Sequence, residues 1–346
     1  MALEHSVGET SGKHALLVGY RPDQAAYRYR MGYLPAALEA KGWEVRCERF
    51  PSGRYGLRTW ERRGLLRWAS VTVFQTIKFS PPEALLLRRY ARRCVFDLDD
   101  AIYVRRPRVF GGPVDHSRWR HYKFAATCRA MDAVVVGNSI LAAAARPFSR
   151  EVVILPTTLD PAGYHTVPRV SGGPPTIVWV GNPENIAYLE MVRSALERLS
   201  VRHPGLRLRV ISSAFPEWPN VRIERIPWSP ESEIEALATA DIGIMPLTDD
   251  DWSRGKCAFK LLQYMAASLP CVASPVGANH QAIIDGKTGF LAASTDDWET
   301  ALDRLISDQA MARAFGNAGR QHLDTHYSLA QYTGDYERLL TRLIGV

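Results

Sequence analysis

The sequence is short of several things. It has five cysteines in 346 residues, Cys47, Cys94, Cys128, Cys257 and Cys271, and no two form a C-x-x-C pair. An odd count without paired spacing offers no zinc site and suits a reducing compartment. The nine histidines include no H-E-x-x-H arrangement, so no metal ligand set is expected from them. Long apolar runs are absent too. The stretches around Ala15–Tyr20 and Ala133–Ala145 are short or interrupted by polar residues, well below the roughly 20 residues that cross a bilayer. The opening MALEHSVGETSGKH carries no apolar secretory segment, so residues 1–13 read as a flexible leader and the expected location is cytoplasmic.

What is present is ordinary for folded protein: 46% hydrophobic and 23% charged residues, which excludes a disordered or fibrous chain. The length suits about two domains. Charge divides them. Through residue 160 there are 26 Lys and Arg against 15 Asp and Glu, and afterwards 17 against 21. A basic first half could face phosphates, nucleic acid or an anionic membrane, or could be a solvated Arg-rich surface.

Short β-branched runs alternate with helical stretches. HALLVGY (14–20), WEVRCERF (43–50), VTVFQ (71–75), RCVFDL (93–98), DAVVVGN (132–138) and EVVILP (151–156) read as strands of a first block. One helix is expected over Tyr27–Lys41, ending at Gly42. A turn-rich linker, Pro161–Pro175, follows. The alternation restarts with strands at 176–181, 206–212, 221–226, 241–247 and 270–275, and the tail from Asp296 reads as helical. Two such blocks predict two doubly wound α/β domains with parallel sheets. The predicted domains span residues 14–165 and 166–327. Ligands of such sheets bind beyond the strands' carboxyl ends, here in the cleft between the domains.

The densest signal is DDDWSRGKCAFKLLQYMAASLPCVASPVGANHQAIIDGKTGFL (249–291). Arg254, Lys256 and Lys260 crowd the start of a helix predicted near Ala258. Cations there oppose the helix dipole, so a bound phosphate or pyrophosphate is the natural reason for them, although solvent-exposed lysines would read the same way. In the first block, CVFDLDDAIYVRRP (94–107) ends a strand with Asp97, Asp99 and Asp100. Alternation places Asp97 and Asp99 on one side and Asp100 at the tip. Such carboxylates can bind sugar hydroxyls or act as a base, or simply pair with Arg105 and Arg106. Arg28 and Arg30 follow an irregular loop (21–26) that should face the cleft. Asn138 ends a strand and could cap the next helix. RYGLRTWERRGLLRWAS (54–70) has five Arg and two Trp. On one helix it could lie on an anionic membrane surface, or pack on the sheet with Arg outward.

KLLQYMAASLPCVASPVGANHQAIIDGKTGFL resembles the donor-binding signature of the family-four glycosyltransferases of the GT-B fold. TIVWVGNPENIAYLE (176–190), ADIGIMPL (240–247), VVVGNSILA (134–142), ILPTTLD (154–160) and YRYRMGYLPAALEAKGWEV (27–45) are similar to further stretches of that family. The resemblance implies two Rossmann-like domains, with a final helix over 328–346 crossing back to the first. It implies a retaining transferase that takes a sugar from a nucleotide diphosphate sugar, UDP- or GDP-linked, without metal or other cofactor. The acceptor would be a saccharide, a lipid-linked glycan or a small molecule, and the chain would act in the cytoplasm, at the inner membrane face if residues 54–70 bind there. Donor-side residues would be Gly181, Asn182, Ser212, Trp228, Arg254, Lys256, Lys260, Leu261 and Gln263, with the base beside the 212–213 and 225–228 loops. Acceptor-side residues would be Arg28, Arg30, Asp97, Asp99, Asp100 and Asn138. Asp99, Asp100, Lys256 and Lys260 would carry the chemistry.

The chain departs from the family pattern at three places. Gln263 stands where the family has a ribose-binding Glu, Gly255 where it has a sugar-contacting Glu, and the loop after Gly181 lacks the usual Arg and Lys. These departures keep two alternatives open: a non-catalytic nucleotide- or glycan-binding relative, and a GT-B sugar-nucleotide epimerase. No nucleic-acid motif accompanies the positive charge, so a nucleic-acid partner is not expected.

Overall fold

The computed structural model describes residues 12–19, 25–50, 53–107, 110–165, 167 and 173–346. The leader, most of the loop after β1 and part of the 161–175 linker lie outside these residues.

Two six-stranded sheets, parallel throughout, organise the chain. The first holds β1 (His14–Gly19), β2 (Glu44–Arg49), β3 (Val71–Gln75), β4 (Cys94–Leu98), β5 (Ala133–Val136) and β6 (Val152–Ile154), in the order β2-β1-β3-β4-β5-β6. The second holds β7 (Thr176–Val180), β8 (Arg207–Ser212), β9 (Arg222–Pro227), β10 (Ile242–Met245), β11 (Cys271–Ala273) and β12 (Gly289–Leu291), in the order β12-β11-β10-β7-β8-β9. Central strands such as β3, β4, β5 and β7 are buried at every position, because helices cover both faces. That is why they read as mostly apolar runs rather than alternating ones, with polar residues such as Thr72, Gln75 and Asp97 buried among them. Each sheet reverses its winding once, between β1 and β3 and between β7 and β10, which places a ligand crevice at those carboxyl ends.

Each sheet carries a core on each face. In the first domain Leu16, Phe74 and Phe96 pack with Phe79 and Phe124 on one face. On the other, Leu17, Val73 and Val95 pack with Leu34 and Leu38, and with Tyr332, Tyr336 and Leu340 of the helix Leu329–Ile344. The chain's last helix therefore lies on the first domain. Glu337 from that helix is buried and accepts hydrogen bonds from Lys13 and Trp43, both at 3.2 Å.

Three elements differ from expectation. The helix expected over 27–41 is two, Ala25–Arg30 and Leu34–Glu39, because Pro35 fits only the first turn of a new helix. The segment 54–70 is also two helices, Tyr55–Glu61 and Arg63–Trp68, with Tyr55, Thr59 and Leu66 buried. Four of its arginines have partners within the fold: Arg58 on Glu61, Arg62 on Glu48, Arg63 on the Trp60 carbonyl and Arg67 over the Tyr90 ring. The three-residue β12 was not expected as a strand. Among the described residues no helix is long and apolar enough to cross a membrane.

Candidate active site

A cavity of about 600 Å³ opens where the carboxyl ends of the two sheets meet. Asp99, Asp100 and Thr157 reach it from beyond β4 and β6, and Val180, Gly181, Asn182, Trp228 and Met245 from the ends of β7, β9 and β10. It sits at the winding reversal of the second sheet, where backbone loops splay apart.

Its second-domain wall is cationic. Lys256 and Lys260 both line it, and neither ammonium makes a hydrogen bond or ion pair among the described residues. Lys256 precedes, and Lys260 stands in the first turn of, the helix Phe259–Ala266, which has no side-chain cap and starts from Ala258 at a φ of 54°. A left-handed, non-glycine residue is strained, and here it turns the chain so that Ala258 and Phe259 border the cavity. Burial first, and then the Lys256 charge, push the Lys260 ammonium down to about 8. Its Nζ lies 5.7 Å from the centre of the Trp179 ring. Gly181 is required there: a Cβ would stand 2.7 Å from the Trp179 ring and 3.0 Å from the Lys260 Cε.

The first-domain wall is acidic. Burial, and next the Asp100 carboxylate, push the Asp99 carboxyl up to about 7. Its Oδ1 is buried without a hydrogen-bond partner. Lysines and carboxylates thus oppose one another across the cavity. Among the described residues no three His, Cys, Asp or Glu side chains are placed to hold a metal ion.

A third wall comes from the helix Pro230–Ala238. Glu233 is buried yet borders the cavity. It accepts hydrogen bonds from the Trp228 indole (2.6 Å), the Tyr164 hydroxyl (3.3 Å) and the Gln263 amide. Burial raises its carboxyl despite these donors. Arg28 crosses from the first domain, its guanidinium 5.0 Å from the centre of the Trp228 ring, and its Nε is buried without a partner.

The structure brings Arg28, Asp99, Asp100, Gly181, Asn182, Trp228, Lys256, Lys260 and Gln263 to one cavity. It places six other expected residues elsewhere. Arg30 and Asp97 are fully buried against each other, with Nε to Oδ1 and Nη2 to Oδ2 both at 2.8 Å. Arg30 also donates to the Leu155 carbonyl at 2.7 Å, and Tyr336 donates to Asp97 at 3.2 Å. The pair joins the first helix to β4 and leaves nothing for an acceptor. Asn138 is buried: its Oδ1 caps the helix Ser139–Ala145, and its Nδ2 donates to the Gly255 and Lys256 carbonyls at 3.1 Å. Arg254 is held by Asp249 (2.6 Å) and Asp251 (3.2 Å), so the neighbouring acidic run takes the charge expected to meet phosphate. Leu261 points into the second core, and Ser212 is buried at the end of β8 outside the cavity.

Sequence reading missed Glu233, Tyr29, Trp252 and Thr157. Glu233 lies in S-P-E-S-E, where acids in a first helical turn read as dipole compensation. Gly255 has a steric role: a Cβ there would lie 2.6 Å from that of Ala101 and 2.9 Å from its backbone nitrogen.

Residues 174–308 match the family described as Glycosyl transferases group 1. A D-inositol 3-phosphate glycosyltransferase of Corynebacterium aurimucosum is 26% identical over 165 residues, 42% of this chain and 38% of that relative. Among solved structures, the sucrose-phosphate synthase of Thermosynechococcus elongatus superposes with a TM-score of 0.77 at 15% identity, over 96% of this chain and 99% of that one. HepE of Anabaena, solved with UDP-glucose, gives 0.72 at 11% identity over 95% and 99%. WaaG, a glycosyltransferase involved in lipopolysaccharide biosynthesis, gives 0.65 at 17% identity over 95% and 99%. The fold is GT-B: two Rossmann-like domains about a cleft.

Proposed function

We propose, from the match of residues 174–308 to the group 1 glycosyl transferases and from the GT-B fold, that the chain moves a sugar from a nucleotide diphosphate sugar to an acceptor hydroxyl. The observation that carries this reading is the pair of lysines without an ion-pair partner that share one interdomain cavity with two carboxylates. The donor's diphosphate lies against Lys256, Lys260 and the start of the helix Phe259–Ala266. When the bond from the anomeric carbon to the diphosphate oxygen breaks, both electrons stay on that oxygen. Fixed cations in a buried site stabilise the developing charge without reorganising. The ribose and base extend toward Gln263, Glu233 and Trp228, with Arg28 closing over the indole. The acceptor hydroxyl approaches from Asp99 and Asp100, attacks the face the diphosphate leaves, and passes its proton to the departing phosphate oxygen. The product keeps the donor's anomeric configuration. No protein nucleophile and no metal enter the scheme. The HepE complex with UDP-glucose supports a uridine donor as the first to try.

The test is a thermal-shift screen against UDP, GDP, ADP, dTDP and CMP without added metal, followed by proton NMR of the product's anomeric signal with the matching sugar. One diphosphate should raise the melting temperature, because it binds only the folded state. Lys260→Ala should abolish the shift. Silence from every diphosphate at millimolar concentration, or an inverted anomer, overturns the proposal.

A further inference from the structure

A second and larger cavity, about 1000 Å³, lies on the first domain. Its wall is mostly apolar, formed by Tyr103, Val104, Ala125, Ala144 and Phe148. The helix Arg118–Ala130 makes its rim. This helix, RWRHYKFAATCRA, contains no acidic residue. Trp119 and Tyr122 stand 59% and 50% exposed at the mouth, their rings stacked at 5.8 Å. Large aromatic side chains left in water beside an apolar hollow mark a surface that is covered in function.

Charge narrows what covers it. Arg118, Arg120, Lys123 and Arg129 all lie on this one helix. The one carboxylate on the wall, Asp251, is already engaged by Arg254 at 3.2 Å and His116 at 3.5 Å. Lys78, behind the rim, donates to the Ile102 carbonyl at 2.9 Å. Burial, and then the Arg120 and Lys123 charges, push its ammonium down to about 7. Arg120 and Lys123 face the Asp115 and Glu83 carboxylates, but Arg118 and Arg129, the two that line the cavity, have no carboxylate partner among the described residues. The occupant must therefore be apolar along most of its length and anionic at one place.

Position narrows it further. Asp99 and Asp100 line the reaction cavity, and Tyr103 and Val104, a turn later on the same loop, line this one. Asp251 and Trp252 divide between the two cavities in the same way. A molecule in the apolar hollow lies one loop away from the carboxylates that meet the acceptor.

We propose that this cavity binds the hydrocarbon chain of a phosphate-bearing lipid, with Arg118 at the helix's first turn on its phosphate, and that this lipid carries the acceptor of the transfer. The acceptor half rests on the transferase reading; the lipid site does not.

The probe is decyl phosphate, held below its micelle concentration and titrated into the full chain by calorimetry, with decanol and inorganic phosphate as controls. One saturable site is expected, with each control at least about tenfold weaker. Ala144→Trp, which fills the hollow from its wall, and Trp119→Ala, an exposed change, should each weaken binding about tenfold. Both should keep the wild-type melting response to UDP, since neither touches the reaction cavity. Absence of decyl phosphate binding, or wild-type binding by both folded variants, overturns the proposal. Inorganic phosphate binding as tightly as decyl phosphate removes the lipid and leaves an anion site. Decyl phosphate binding in a protein that ignores every nucleotide diphosphate keeps the lipid site and removes the transferase reading instead.

Discussion

The proposed contact of Lys260 with the donor's diphosphate carries a pH signature. Burial and the adjacent Lys256 hold its ammonium near 8, against an ordinary value of about 10.4. A diphosphate binds the charged form, and binding restores the charge by supplying a counter-anion. At pH 7 most of the free protein carries the charge. At pH 9 only about one molecule in ten does, so the apparent Kd for the matching nucleotide diphosphate should rise about tenfold between those values. That is about 1.4 kcal/mol. The ligand does not confuse the measurement, because a phosphate's second ionisation lies near 6. Titration calorimetry at pH 8, in two buffers of different ionisation enthalpy, should report uptake of about half a proton per nucleotide bound. Lys260→Arg should flatten the dependence, since a guanidinium stays charged throughout. A wild-type Kd that is the same at pH 7 and 9, or an arginine variant with the wild-type slope, would refute the assignment of Lys260 to the diphosphate.

Four further outcomes follow from the geometry. Asp97→Asn leaves the Arg30 guanidinium buried without its counter-charge and should cost about 3–5 kcal/mol in urea unfolding, whereas Arg30→Met with Asp97→Leu should recover much of it; a single-variant cost below about 1 kcal/mol means the pair is not desolvated. Glu233→Ala strands the Trp228, Tyr164 and Gln263 donors, each a loss of about 1–3 kcal/mol if unsatisfied. It should weaken nucleotide binding several-fold by calorimetry, with partial rescue by Glu233→Gln. The acceptor-side kcat/KM should rise with pH through about 7 as Asp99 ionises, and Asp99→Asn should remove that limb of the profile. Gly255→Glu drives a side chain into the Ala101 backbone and should open the cleft, seen as a larger radius of gyration in small-angle scattering together with lost turnover.

Most of the architecture was legible because a strand buried on both faces must be largely apolar, and β5 and β7 announce themselves that way. Breaks were less visible. The apolar spacing of Leu34 and Leu38 continues the rhythm of the preceding turn, so one helix was expected where Pro35 starts another. The site was legible where a functional group sits at an element's own end: Asp99 and Asp100 beyond β4, Lys256 and Lys260 about a helix start. Two kinds of information were missing from it. One is partnership over distance: Arg30 and Asp97 are 67 residues apart, and nothing local says they neutralise each other. The other is depth, since Glu233 looks like a surface acid of a capped helix until its neighbours close over it. Arg254 is a different case. Asp249 lies five residues before it, close enough in the chain to have been recognised as its partner.

The loop 255–257 connects these observations. It belongs to the second domain, yet the first domain holds it. Asn138 takes the Gly255 and Lys256 carbonyls, and the Cys257 thiol donates to the Asp99 carbonyl at 3.1 Å. Gly255 lets the loop approach Ala101 closely. The same three residues therefore set where the Lys256 ammonium and the following helix stand relative to the Asp99 strand end. A transferase must bring a diphosphate and an acceptor hydroxyl together to within tenths of an ångström, and in most two-domain clefts that distance would vary with domain motion. Here the loop that carries Lys256 is anchored to the end of β4 itself. Hydrogen bonds of 3.1 Å thus tie the loop before the lysine-bearing helix to the first domain, while on the outer wall Arg28 lies over Trp228. Substrate entry should consequently depend on the Arg28–Trp228 contact rather than on opening at Gly255. Trp228→Ala should speed nucleotide association and dissociation together in stopped-flow fluorescence, and unchanged rates in both directions would place the gate elsewhere.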